Sequence, residues 1–161
     1  MRWRNLRRFG VIEAPEEGIA RRIAAGMKSC GLFYVQNRPA VRSEGQLLVL
    51  SPKGGQMEPK QPLCCRYVLL PGTASEAVLR QIKANSAVSY GFSTRDTLTI
   101  SSLEEDRLSL ALQRELVTME GHVLEQQELC LPRPVGLSPE EILAVCGSLL
   151  LLGVAPEQLR L

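Results

Sequence analysis

The sequence predicts an α/β domain in which a mainly parallel sheet, flanked by helices, continues into antiparallel strands. Three observations carry that expectation. The run Cys64 to Leu70, CCRYVLL, is apolar almost throughout, as a strand buried on both faces must be. A helical segment with a cap signal separates it from a second run ending at Tyr90, and strand, helix, strand is the repeating unit of a parallel sheet. Beyond Gly91 the period falls to two, through Thr97 to Leu103 and again through Leu108, Leu110 and Leu112, which is the pattern of antiparallel strands with one wet face.

A chain of 161 residues is most simply one domain, spanning 1–161, and buries about two thirds of its unfolded surface. Its 45% hydrophobic and 22% charged residues are ordinary for a globular protein, and its net charge of +2 is too small to mark a polyanion partner over the whole surface. Any basic signal must therefore be local. Five cysteines, an odd number without CxxC spacing, point to a reduced setting rather than a disulfide framework. No signal peptide is evident, and the apolar run around Leu149 to Leu152 is far short of the ~20 residues that cross a bilayer. A cytoplasmic location without membrane association is the expectation.

Taken in order, Met1 to Phe9 forms a basic arm in which Arg2, Arg4, Arg7 and Arg8 surround Trp3. Cations beside an aromatic suit phosphates and bases, although a solvated or subunit-docking arm has the same composition. Val11 and Ile12 make a short strand before Pro15. Ile19, Ile23 and Met27 recur four apart, so Glu16 to Cys30 is a helix, ended by Gly31. Leu32 to Val35 and Gln46 to Leu50 are strands joined by the polar stretch Asn37 to Gly45. In Ser51 to Gln56, SPKGGQ, Lys53 precedes the glycines, so the GxxxxGK[ST] phosphate loop is not matched.

After Cys64 to Leu70, Thr73 and Glu76 have capping-box spacing, with Ala77, Val78 and Ile82 on the inner side and Asn85 at the helix end. Arg107 to Val117 satisfies a strand, yet Leu108, Ala111, Leu112, Glu115 and Leu116 also fit a helix. Glu120 and Gly121 mark a hairpin turn, and Pro132 and Pro134 stop the strand that follows. Ser138, Pro139 and Glu141 supply a cap, an N1 proline and a reciprocal glutamate. The helix they start buries Ile142, Val145, Cys146, Leu149 and Leu150 and ends at Gly153; Pro156 to Leu159 adds one turn.

Roughly the last hundred residues resemble the rear part of the central domain of the Mur ligases, ATP-dependent amide-forming enzymes of cell-wall synthesis. The matching pieces are RYVLLP at Arg66 to Pro71, SYGFS at Ser89 to Ser93, LCLPRPVG at Leu129 to Gly136 and EEILAVCGSLLLLGV at Glu140 to Val154. Their order and spacing carry the resemblance, which implies a related scaffold. The family's nucleotide loop has no counterpart here. Pro71, Gly72, Thr73 and Ala74 stand where the family has an asparagine and aspartates, and Leu137 and Ser138 where it has His-Asn. None of its active-site residues carries over, so ligation is not expected.

The leading candidate site is Phe92 to Asp96, FSTRD, at the end of a predicted parallel strand, where open α/β sheets bind ligands. Ser93, Thr94 and Arg95 can bind a carboxylate or phosphate, with Lys53 as a second cation; alternatively Asp96 pairs with Arg95 or bonds local backbone in a plain turn. His122 near Glu120 forms neither a metal set nor a triad, and of the cysteines only Cys64 or Cys65 can be reactive. Glu104, Glu105 and Asp106 read as a solvated turn. The functional expectation is a non-catalytic binding module for a protein partner or a small anionic ligand, with no cofactor and no metal. The alternatives are an enzyme with a small-molecule site at the strand ends and nucleic-acid binding through the arm. Self-association through an edge strand is compatible with each.

Overall fold

A computed structural model describes residues 7–36 and 42–161, with backbone alone at 42–45. The elements are β1 (Arg7–Ile12), α1 (Ile19–Ser29), β2 (Tyr34–Gln36), β3 (Arg42–Leu50), β4 (Leu63–Pro71), α2 (Glu76–Arg80), β5 (Ile82–Tyr90), β6 (Leu98–Leu103), β7 (Arg107–Leu112), β8 (Leu116–Val117), β9 (Val123–Leu124), β10 (Gln127–Pro132) and α3 (Pro139–Leu151). Eight strands form one sheet in the order β10-β7-β6-β5-β4-β3-β1-β2, and β8 pairs with β9 in a separate hairpin. Pairing from β2 across to β5 is parallel at every step. The order 2-1-3-4-5 is that of a doubly wound sheet. β6 joins this set through a single parallel pair, Tyr90 with Leu98, and β7 and β10 then add antiparallel strands. The expected α/β class is present, and the pairing changes from parallel to antiparallel one strand beyond Gly91, between β6 and β7.

The two faces of the sheet are covered unequally. α1 and α3 lie on one face over Phe9, Leu47, Val49, Tyr67, Leu69, Tyr90, Leu98 and Leu110. The opposite face holds a smaller cluster of Leu48, Leu50, Leu63, Cys65, Val68 and Val78, the last supplied by α2. α3 is the centre of the larger core, for every residue from Ile142 to Leu151 is buried, not the single stripe that its sequence suggests. Its start matches expectation: Ser138 accepts from the Glu141 N–H, Glu141 returns to the Ser138 N–H, and Pro139 opens the helix. Gly147 lets the helix settle on the sheet, since a Cβ there would lie 2.9 Å from Leu69 Cδ2. The one buried hydroxyl on α3, Ser148, donates to Ala144 O at 2.7 Å.

Three boundaries differ from the sequence reading. β1 begins at Arg7, so Arg7 and Arg8 belong to the sheet and not to an arm, because pairing with Tyr34 and Val35 of β2 captures their backbone. Thr73 is not the cap of α2: Ala74 N bonds to Pro71 O in a tight turn, and the helix starts one turn later with Ser75 accepting from Val78 N. Asn85 does not end that helix. It lies inside β5, whose in-register pairing with β4 from Ile82 to Tyr90 overrides local helical preference. The ambiguous stretch at Arg107 to Val117 resolves as β7 and β8, fixed by partners on β6, β10 and β9. The polar connection expected at Asn37 to Gly45 falls largely outside the described residues. Among the described residues no helix is long and apolar enough to cross a membrane.

Tyr90 ties the parallel strands together at their carboxyl ends. Its ring is fully buried, and its hydroxyl donates to Leu50 O, two strands away, at 2.7 Å. Burial first, then the charges of Glu17, Glu140 and Glu141, hold its ionisation well above the usual tyrosine range. Tyr90→Phe leaves the Leu50 carbonyl without that donor and is expected to cost about 1–3 kcal/mol in urea unfolding. The sign of the pH effect follows from the raised folded-state value. Tyrosine ionises near pH ~10 in the unfolded chain while Tyr90 stays protonated in the folded one, so this group's contribution is complete below pH ~10 and declines as pH rises further. The variant should show a shallower alkaline decline than the parent, and an identical decline would contradict the assignment.

Candidate functional site

In this strand order β1 is flanked by β2 on one side and β3 on the other, so the switch point of the sheet lies between β1 and β3. The crevice beyond their carboxyl ends is where open α/β sheets take ligands, commonly with a phosphate at the start of the following helix. Here the chain fills that crevice with its own carboxylates. Glu13 Oε2 accepts the first N–H groups of α1, from Ile19 at 2.6 Å and Ala20 at 3.1 Å. Glu17, only 8% exposed, accepts from Ala14 N at 2.8 Å, from Lys53 N at 3.2 Å and from the Ser51 hydroxyl. Ser51 Oγ in turn receives Gly54 N at 2.7 Å, and Ser51 N bonds to Ile12 O at 3.0 Å. Outside this set Lys53 Nζ pairs with Glu16, which raises the lysine pKa and lowers that of the glutamate through their mutual hydrogen bond.

The 92–96 turn stands at the end of β5 and is braced from within. Asp96 is 4% exposed, and its Oδ2 accepts from Ser93 N at 3.0 Å. Its carboxylate fits only because two glycines face it: a Cβ on Gly72 would lie 2.2 Å from Oδ1, and one on Gly91 would lie 2.6 Å from Oδ2. Gln113 Nε2 donates to Ser93 O at 2.9 Å and to Asp96 O at 2.7 Å, and Arg114 holds the carbonyls of Thr94 and Arg95. Ser93 Oγ accepts from Arg95 N at 3.2 Å. Of the sequence candidates, then, Asp96 bonds local backbone, whereas the side chains of Phe92, Ser93, Thr94 and Arg95 are exposed. Lys53 belongs to the β1/β3 crevice. Neither of two clefts in the structure, one of about 670 Å3 beside Thr94 and one of about 800 Å3 along α1, is lined by Ser93, Arg95 or Lys53.

The remaining candidates are placed as follows. Arg2, Trp3 and Arg4 lie outside the described residues. Arg7 is tied into the fold, donating from Nε to Leu152 O at 2.6 Å and pairing with Glu120, while Arg8 is exposed on β1. Glu120 also lies 3.7 Å from His122 Nε2, so these two belong to a surface clamp between β1 and the hairpin. Among the described residues no group of three or more metal-ligating side chains occurs. Cys65 is buried, and burial with Cys64 beside it pushes its thiol up to about 11; Cys146 is pushed to about 12 by burial alone. Cys65 is therefore not the reactive thiol the sequence allowed. Cys64 is partly exposed.

Glu13, Glu17 and Ser51 are not recognisable as a unit from the sequence, because the contact between Glu17 and Ser51 spans 34 positions. Comparison with protein-family models, curated proteins and solved structures finds no match for this chain. Glu17→Ala removes an ionised acceptor from three donors and should cost about 2–3 kcal/mol in urea unfolding. Glu17→Gln keeps one carbonyl oxygen and should recover part of that loss. Equal stability of all three proteins would show that the carboxylate does not hold the crevice.

Proposed function

We propose that this chain is a non-catalytic binding module on a scaffold related to the Mur ligase central domain, and that it engages a protein partner through the 92–95 turn. The observation that supports the first half is the Glu17 carboxylate in the switch-point crevice, on the donors a phosphate would need. An anion entering there would have to displace three hydrogen bonds. The second half rests on the turn itself. Phe92, 59% exposed, and Arg95 are of the types that anchor interfaces, and the bonds from Asp96, Gln113 and Arg114 fix the backbone that carries them. A surface ordered in advance loses little conformational entropy on docking. An enzyme at the strand ends would require Ser93, Arg95 and Lys53 to line one pocket, and that arrangement is not supported.

Two measurements test the reading. Calorimetric titration with Mg-ATP should give no saturable heat, and incubation no phosphate release above buffer. A saturable signal that Ser51→Ala abolishes would overturn the non-catalytic half. For the other half, a photo-crosslinker placed at Ser93 should trap a discrete partner, and Phe92→Ala with Arg95→Ala should weaken binding of that purified partner at least tenfold. Undiminished affinity in the double variant would remove the turn from the interface.

A further inference from the structure

We propose that the cleft between α1 and the start of α3 binds a small multivalent anion, of the phosphomonoester or di- and tricarboxylate class. This site is separate from the 92–95 turn, so its failure leaves the preceding proposal standing. The cleft has a volume of about 800 Å3, within the ~300–1,000 Å3 of small-ligand pockets. Its charged lining is Glu16, Glu17, Arg21, Arg22, Glu141 and Arg160.

Each of the three carboxylates is already engaged. Glu16 pairs with Lys53, Glu17 takes the Ser51 hydroxyl and two backbone N–H groups, and Glu141 accepts from Ser138 N as part of the α3 cap. The arginines are not matched in this way. Among the described residues the guanidinium groups of Arg21 and Arg22 make no hydrogen bond or ion pair, and Arg160 uses Nη1 alone, on Leu159 O at 2.8 Å and Glu157 O at 3.5 Å. The donors left over are therefore cationic, and guanidinium forks suit phosphate and carboxylate oxygens.

Arg21 and Arg22 stand in the first turn of α1, which carries no acidic residue, and Arg21 folds back so that its Nη2 lies 3.3 Å from where a Gly18 Cβ would be. Glu13, on the Ile19 and Ala20 N–H groups, answers the positive end of the helix, so the two guanidinium groups remain as donors on the α1 side of the cleft. Ala25 and Ser29 continue the cleft along α1 and their small side chains leave room for the ligand's body, while Gly26 lets α1 close against Leu149 of α3.

The test uses the full chain, with ionic strength held constant by sodium chloride. Amide NMR titration with inorganic phosphate and, separately, with citrate should give saturable shifts at Arg21, Arg22, Gly26 and Gly136. The tighter of the two probes assigns the phosphate or the carboxylate branch. Arg21→Ala with Arg22→Ala should weaken binding at least tenfold, and Arg160→Ala at least threefold. The double variant should melt no lower than the parent without ligand, since it removes cations from a helix start, and should lose the rise in melting temperature that citrate gives the parent. Shifts no larger than those from chloride, or binding unchanged in the double variant, would overturn the proposal. So would tighter binding of a hexaglutamate peptide than of either probe, which would make the cleft a protein-docking site.

Discussion

The carboxyl edge of a parallel sheet is the constraint on which the rest of this structure depends. Each parallel strand ends there with backbone groups that need partners, and the turns leaving the strands add more. In this chain the edge is closed from within. Ile12 O receives Ser51 N, Leu50 O receives the Tyr90 hydroxyl, and Tyr90 O receives Gly72 N. Gly55 O receives Ser75 N, which fastens the β3 turn to the start of α2. Glu13 and Glu17 complete the set at β1. The acceptors a bound phosphate would provide are therefore supplied by the side chains of Glu13 and Glu17 between β1 and α1.

That closure also explains why the junction at Gly91 is rigid. β5 and β6 share a single parallel pair, too little to hold the antiparallel strands at a fixed angle. The Asp96 carboxylate, enclosed by Gly72 from the β4 turn and Gly91 from the β5 turn, supplies the missing connection. A larger residue at either glycine would force the carboxylate out and release the turn. α3 reinforces the junction from beneath, because Gly147 brings it against both Leu69 of β4 and Leu98 of β6. The exposed side chains of the turn are thus mounted on backbone held by Asp96, Gln113 and Arg114.

Local features of the fold were legible wherever the signal was local. The apolar run of β4, the Ser138 cap and the alternation after Gly91 each depend on neighbours a few positions apart, and each appears as expected. The cap of α2 was misplaced because Thr73 and Ser75 are both acceptable caps, and a turn bonded to Pro71 decided between them. β1 was shortened because Arg7 and Arg8 look like solvent-facing charges until Leu152 O and Glu120 are brought beside Arg7. The switch-point carboxylates were invisible for the same reason. Glu13, Glu16 and Glu17 carry no local signal that joins them to Ser51 and Lys53, and only the sheet order places them opposite those residues.

The distribution of charge around α1 follows from this arrangement. A helix start in a nucleotide-binding sheet offers both free N–H groups and a positive dipole end to one phosphate. Here the two attractions are divided. Glu13 takes the N–H groups of Ile19 and Ala20, and Glu17 takes those of Ala14 and Lys53, so these donors are already occupied. Arg21 and Arg22 meanwhile carry positive charge from the same helix end to the flank facing α3. Glu17 occupies the crevice, and the guanidinium groups of Arg21 and Arg22 line the outer cleft beside it. The donors proposed for an anion thus lie on the helix flank, away from the strand ends where open α/β sheets take their ligands.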